Sequence, residues 1–287
     1  MGPRRDTFPK ASTKRRRLHR FSGHRHGEDT LSMFDHWLKG MKNEVDEWPR
    51  TRYFVMGENI WRNTEQKWPP KGELFTLYLK SENGANTLLG DGRLIPDPPP
   101  KTRFDEYAYD PSDPVITQLG FDLYGERQET LLDNRFIQRR DDVLVYSSDP
   151  MKEEIMVLGY PVVELQASSD CPDTDWFATL SDVSQDGRST TVAHGGIRAR
   201  YREGLNKQVL AESGKVYVYT IKLSSTCVTF LKSHQIRLHI TSSDFPSFAP
   251  NSNTGNHPTE DTEKRIAYNR VHNGSKFTSK IDLTFIK

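Results

Sequence analysis

From Arg52 to Lys287 the chain is written in short runs of aromatic and β-branched residues separated by turn residues, and that texture admits few folds other than an antiparallel β-sandwich. Arg52-Tyr53-Phe54-Val55-Met56 and Leu74-Phe75-Thr76-Leu77-Tyr78-Leu79 are two such runs. Asp142–Tyr146 is another, Glu154–Ala167 supplies a pair broken at Gly159-Tyr160-Pro161, and Trp176–Val183 and Lys215–Ile221 follow. In Gln235-Ile236-Arg237-Leu238-His239-Ile240 polar and apolar residues alternate strictly, and Ile281, Leu283 and Phe285 alternate with Asp282 and Thr284. A period of two is what a sheet with one face in the core and one in water requires. The proline-rich segment Pro96–Pro114 reads as a long ordered loop. These features predict a mainly β protein, a jelly-roll β-sandwich over residues 52–287.

Ahead of the strands, Leu31, Phe34, Trp37, Leu38 and Met41 form one stripe of an amphipathic helix. Asp29 or Thr30 is placed to cap its start and Gly40 lies near its end, within a helical segment assigned to residues 29–51. Residues 1–28 form a basic leader with the run Lys14-Arg15-Arg16-Arg17 and almost no aliphatic side chains, which predicts a solvated, disordered tail. The formal net charge of +1 gives no reason to expect nucleic acid or anionic lipid as a partner. No apolar run approaches the ~20 residues of a membrane span. The leader has arginine pairs with no apolar stretch behind them, so neither a Sec nor a twin-arginine signal is supported. With Cys171 and Cys227 read as free thiols, a cytoplasmic location is expected.

The chemistry-bearing motifs are notable for what is missing. An α/β-hydrolase nucleophile sits on a strained turn that needs glycine on both sides, G-x-S-x-G, and no serine here has that context. Ser22 has Arg20 where the first glycine belongs, and Ser275 lies among strands. Neither a phosphate-binding G-x-x-x-x-G-K-[ST] loop nor an H-E-x-x-H zinc helix occurs, and Gly90-Asp91-Gly92 reads as a turn. His24 and His26 make an H-x-H pair without Cys or Glu partners, and are assigned to a linker. His36 is placed on the helix surface. Asp170, Asp173 and Asp175 could offer oxygens to calcium but lack the EF-hand spacing, so turn or domain-contact use is preferred. Hence no catalytic, cofactor-binding or metal-binding residue is assigned. Trp61, Trp68 and Tyr107, read as an exposed region, could stack on a sugar, which keeps a carbohydrate- or peptide-binding module as the alternative reading.

Several motifs in fixed order do carry a resemblance. Phe34-Asp35-His36-Trp37-Leu38, Tyr53-Phe54-Val55-Met56-Gly57-Glu58-Asn59 and Tyr107-Ala108-Tyr109-Asp110-Pro111 are followed by Asp142–Ser148 and Gly159–Val163. Ser168-Ser169-Asp170 with Asp173-Thr174-Asp175, Arg198-Ala199-Arg200-Tyr201-Arg202, Ser242-Ser243-Asp244-Phe245-Pro246 and Asn251, Asn253 complete the set. Together they resemble the CocE/NonD serine hydrolases, a group of esterases and acylases, and more distantly the X-Pro dipeptidyl-peptidases with their C-terminal, galactose-binding-like jelly roll. The resemblance runs from about Phe34 to the C-terminus. It implies the end of an α/β-hydrolase domain, represented by the helix, and the jelly-roll domain that follows. The complete protein would then hydrolyse an ester, an amide or a dipeptidyl-peptide bond through a triad that lies outside this segment. The implied partner is an α/β-hydrolase catalytic domain, as a preceding part or a separate chain, with the stripe of the helix facing it. Left uncovered, that stripe implies self-association. Residues 1–30 depart from the family's histidine loop, while Leu119-Gly120 and Asn134-Arg135 are minor departures.

Overall fold

A computed structural model describes residues 26–116, 133–257 and 260–286, and these divide at Pro49/Arg50 into two compact units. The leader up to residue 25, including His24, and the Leu119-Gly120 pair lie outside the described residues.

The first unit is small. Its helix α1 spans His26–Lys39, so it starts before Asp29, which with Glu28 occupies the acidic first turn instead of capping it. Carboxylates there suit the positive end of the helix dipole. A short 3-10 turn, Glu44–Glu47, follows, and Asn43 ties it back: its carbonyl oxygen accepts from Val45 N–H and its amide donates to the Ser32 carbonyl. Helix therefore covers less of residues 29–51 than the stripe suggested, because Gly40 ends it. Leu31, Phe34, Trp37 and Leu38 are all exposed, Trp37 by 71%.

The second unit is a mainly β sandwich. Strands β1 (Thr51–Val55) and β2 (Ile60–Thr64) form a separate hairpin. One sheet runs β10 (Ser189–Arg198), β9 (Asp175–Val183), β13 (Gln235–Thr241), β6 (Leu144–Ser147). Through β4 (Arg93–Ile95) it continues into β3 (Glu73–Lys80), β15 (Lys280–Ile286), β8 (Val162–Ser169), β14 (Ala267–Asn273) and β5 (Arg103–Tyr109). Strand β7 (Ile155–Gly159) pairs with β15 and with β12 (Thr226–Phe230), and β11 (Tyr217–Lys222) pairs with β8. Between the layers Trp176, Leu180, Leu238 and Ile240 pack with Leu144, Tyr146, Leu165 and Tyr219 in one core.

Two expectations are corrected here. The segment Pro96–Pro114 is not a loop throughout: its middle is β5, in full register with β14 from Arg103↔Asn273 to Tyr109↔Ala267. The prolines flank this strand without interrupting it, and Asp105, Tyr107 and Tyr109 point inward in alternation. The alternation of β13 is also not core against water. Arg237, His239 and Thr241 are as buried as Ile236, Leu238 and Ile240, because Val115, Ile137, Val143 and Val145 form a second apolar cluster beyond the first. Gln138, from a short 3-10 turn over Ile137–Arg139, meets that polar face: its carbonyl oxygen accepts from Arg237, and its amide faces Ser189 Oγ and His239 Nδ1.

Candidate functional site

The motif residues that lie far apart in sequence converge on one buried ionic knot. Asp173 leads into β9 and Asp175 opens it, while Arg198 ends β10 and Arg200 lies just beyond. Asp173 is fully buried and accepts from Arg200 N at 2.9 Å, Arg200 Nε at 2.8 Å and Asn251 Nδ2 at 2.9 Å. Asp175 accepts from Arg198 Nε at 2.8 Å, Arg198 Nη2 at 2.9 Å and Asn251 Nδ2 at 2.8 Å. Burial pushes the Asp175 carboxyl up, against the pull of Arg198. Arg200 also donates to the Asn256 carbonyl, and Asn251 Oδ1 accepts from Asn253 N. Both carboxylates thus spend their lone pairs on arginine and amide donors, the condition for burying a charge at tolerable cost. These bonds fasten β9, β10 and the 244–257 loop to one another. Asp170, the acidic residue preceding Asp173 and Asp175, bonds Tyr268 N and Arg265 instead.

Above the knot lies a cleft of about 460 Å3, lined by Arg198, Asn251, Phe245, Pro114, Glu263 and Lys264. Phe245 and Phe248 are exposed by 42% and 49% beside it. Its arginines are already paired, and its lining sets the Ser252 hydroxyl against the Asp261 carboxylate, to which it donates, with no imidazole beside them. A mixed cleft of this kind can pack against a surface or hold a chain segment.

Two hydroxyl–imidazole pairs were not anticipated from the sequence, since each joins separate strands. Thr179 Oγ1 lies 2.8 Å from His194 Nδ1, and His194 Nε2 lies 3.2 Å from Asp244 Oδ2. Hydroxyl, imidazole and carboxylate stand in the order of a hydrolytic triad. Yet Thr179 is 5% exposed, and the space beside it amounts to about 10 Å3. That volume admits one water and no acyl substrate. The second pair is Ser168 Oγ with His272 Nε2, at 2.9 Å. Ser168 is 2% exposed, and the imidazole packs between the rings of Phe104 and Phe277. Burial, then the Arg270 charge, lowers its pKa. Neither hydroxyl can reach a substrate carbonyl.

The residues named for sugar stacking do not form a platform. Tyr107 is buried at 3% exposure and bonds Ser242 Oγ, because it belongs to the inward row of β5. Trp68 packs on Tyr53 and donates Nε1–H to Ser225, while Trp61 stands edge-on to Phe54. His26 lies at the start of α1, and the imidazole of His36 is 3.6 Å from Asp46. Gly90-Asp91-Gly92 is the turn expected: Asp91 accepts backbone N–H groups from Glu82, Asn83 and Gly84.

Comparison with known proteins agrees with this inventory. Residues 43–282 match the family described as the X-Pro dipeptidyl-peptidase C-terminal non-catalytic domain. The chain is 37% identical to the cocaine esterase of Rhodococcus sp. (strain MB1 Bresler) over 89% of its own length and 45% of that protein's. It resembles the crystal structure of an aminopeptidase from a marine-sediment Thaumarchaeota archaeon, with a TM-score of 0.74 and 29% identity, over 90% of this chain and 43% of that one. An α-amino acid ester hydrolase gives a TM-score of 0.74 at 26% identity, over 88% and 43%. The chain therefore spans less than half the length of the relatives it matches.

Proposed function

Since the chain belongs to the X-Pro dipeptidyl-peptidase C-terminal non-catalytic domain family, found in hydrolases of the CocE/NonD type, we propose that it works by packing against an α/β-hydrolase catalytic part that carries the nucleophile. The observation that carries this reading is the pairing of two facts. The chain corresponds to under half of an esterase, and every hydroxyl set against an imidazole in the described residues is walled off from substrate. The exposed stripe of α1 supports it, since Phe34, Trp37 and Leu38 offer an apolar surface that suits a protein partner. In the assembled protein the reaction is hydrolysis of an ester, an amide or an X-Pro dipeptidyl bond, with this chain packed against the part that carries it out. Cytoplasmic residence fits the two buried, unbridged cysteines.

The test has two arms. The purified chain alone is expected to remain unlabelled by a fluorophosphonate serine probe and inert toward nitrophenyl esters. Mixed with the separately expressed preceding half of a cocaine-esterase-type relative, it is expected to form a complex in sedimentation and raise that half's esterase rate. Stoichiometric labelling of this chain by the probe, or no complex at any concentration, refutes the reading.

A further inference from the structure

Four side chains that line the small cavity beside Thr179 each present a buried polar atom without a hydrogen-bond partner in the protein: Asn134 Oδ1, His194 Nε2, Thr241 Oγ1 and Asp244 Oδ2. Buried polar atoms are paired in native proteins with few exceptions, because each one left without a partner destabilises the fold. Four orphans around one cavity are not four accidents. His194 Nε2 and Asp244 Oδ2 are 3.2 Å apart, but neither makes an aligned hydrogen bond. His239 also lines the cavity, as a neutral ring, since burial depresses its pKa to about 3 and the Gln138 amide donates to its Nδ1. The walls therefore mix acceptors (Asn134 and Asp244), a ring nitrogen (His194) and a hydroxyl that can be either donor or acceptor (Thr241).

We propose that this cavity is a binding site for a single water molecule, held as a fixed internal ligand between β9, β10, β13, the turn at Asn134 and the segment leading to Phe245. The volume of about 10 Å3 fits one water and excludes larger ligands. A water has two donors and two acceptors, which matches the four unpartnered atoms: it donates to Asn134 Oδ1 and Asp244 Oδ2 and accepts from Thr241 and from His194 Nε2–H, the tautomer set by the Thr179 hydroxyl on Nδ1. Its position gives it a task. Asp244 directly precedes Phe245, a wall of the surface cleft, and Phe245 N–H bonds the Val115 carbonyl. The hydrated Asp244 carboxylate thus anchors from inside a loop whose next residue faces outward.

The discriminating variant is Thr241→Val, which keeps the shape and removes one hydroxyl. Where water is bound, the substitution leaves it one partner short, and the melting temperature is expected to fall by about 2–4 °C, as for loss of one hydrogen bond in a domain of this size. In a dry cavity the hydroxyl is only an orphan, so replacing it by a methyl group leaves the melting temperature unchanged or raises it, which overturns the proposal. A crystal structure of the unaltered chain at better than about 1.8 Å keeps the matter decidable should the variant not fold. A solvent peak within hydrogen-bond distance of at least three of the four groups is expected. A cavity without density, or side chains rotated to bond one another directly, overturns the site.

Discussion

His239 shows what burial does to one residue in a strand that reads as half-exposed. It stands on the polar face of β13 at 2% exposure, its Nδ1 facing the amide of Gln138, with His194 and Arg237 near enough to disfavour a second positive charge. Desolvation is the main reason its pKa falls to about 3 from the ordinary 6.5; His194 and Arg237 add to it while Asp244 opposes. The folded pKa is depressed, so the unfolded chain binds the proton more tightly. The resulting stability is complete above pH 6.5 and is lost as pH falls from there toward 3. At pH 5 a single such histidine removes about 2 kcal/mol, at 1.36 kcal/mol per pH unit. Urea unfolding of the chain at pH 7 and pH 5 should show a loss of at least that order, and His239→Gln should reduce the difference by most of it. A variant with the same pH dependence as the unaltered chain would mean that another group dominates. The histidine was visible in the sequence, but its burial was not. Strict alternation in Gln235–Ile240 reports a strand and says nothing about what covers its second face.

At the scale of elements, strands announced by their own residues were legible: β3, β9, β11, β13 and β15 all coincide with runs of aromatic and β-branched residues. Those that hid did so for local reasons. Strand β5 lies between prolines, β10 carries the Gly195-Gly196 pair, and β14 intersperses Asn and His among its apolar positions. The ionic knot was present as separate motifs, Asp173–Asp175, Arg198–Arg200 and Asn251–Asn253, but only the pairing of β9 with β10 brings their side chains together. Turns offer a sharper test of what an element tolerates. Gly57 in the β1–β2 hairpin has φ of 88°, and a Cβ there would come within 2.4 Å of the Thr229 carbonyl oxygen. Gly187, between β9 and β10, has φ of 80° with nothing within 4 Å. Gly187→Ala should therefore cost only the left-handed backbone, about 1–2 kcal/mol. Gly57→Ala should cost clearly more, because β12 must give way as well. Chemical denaturation of the two variants side by side checks the order; equal losses would show that the hairpin relaxes freely away from β12.

On the scale of the whole molecule, the two units differ in how their apolar surface is used. The sandwich closes a core around Trp176, Tyr146, Leu238 and Ile281, and the family match, residues 43–282, nearly coincides with that unit. The first unit instead carries Leu31, Phe34, Trp37 and Leu38 uncovered, on a helix of 14 residues. An isolated helix of that length is marginal in water, and an apolar surface to pack on is what would hold it. If that surface belongs to the catalytic part of a hydrolase, the sandwich has no need of the helix, and removing residues 1–49 should leave a cooperative unfolding transition within about 2 °C of the full chain. Removal should also abolish whatever self-association and hydrophobic-dye binding the full chain displays, since the exposed stripe leaves with the helix. Scanning calorimetry, dye fluorescence and sedimentation on both chains read all three quantities. Should the shortened chain instead lose its transition or aggregate, the stripe belongs to the core of the sandwich, and the partner must bind elsewhere; the cleft beside Phe245 and Phe248 would then be the next apolar surface available to it.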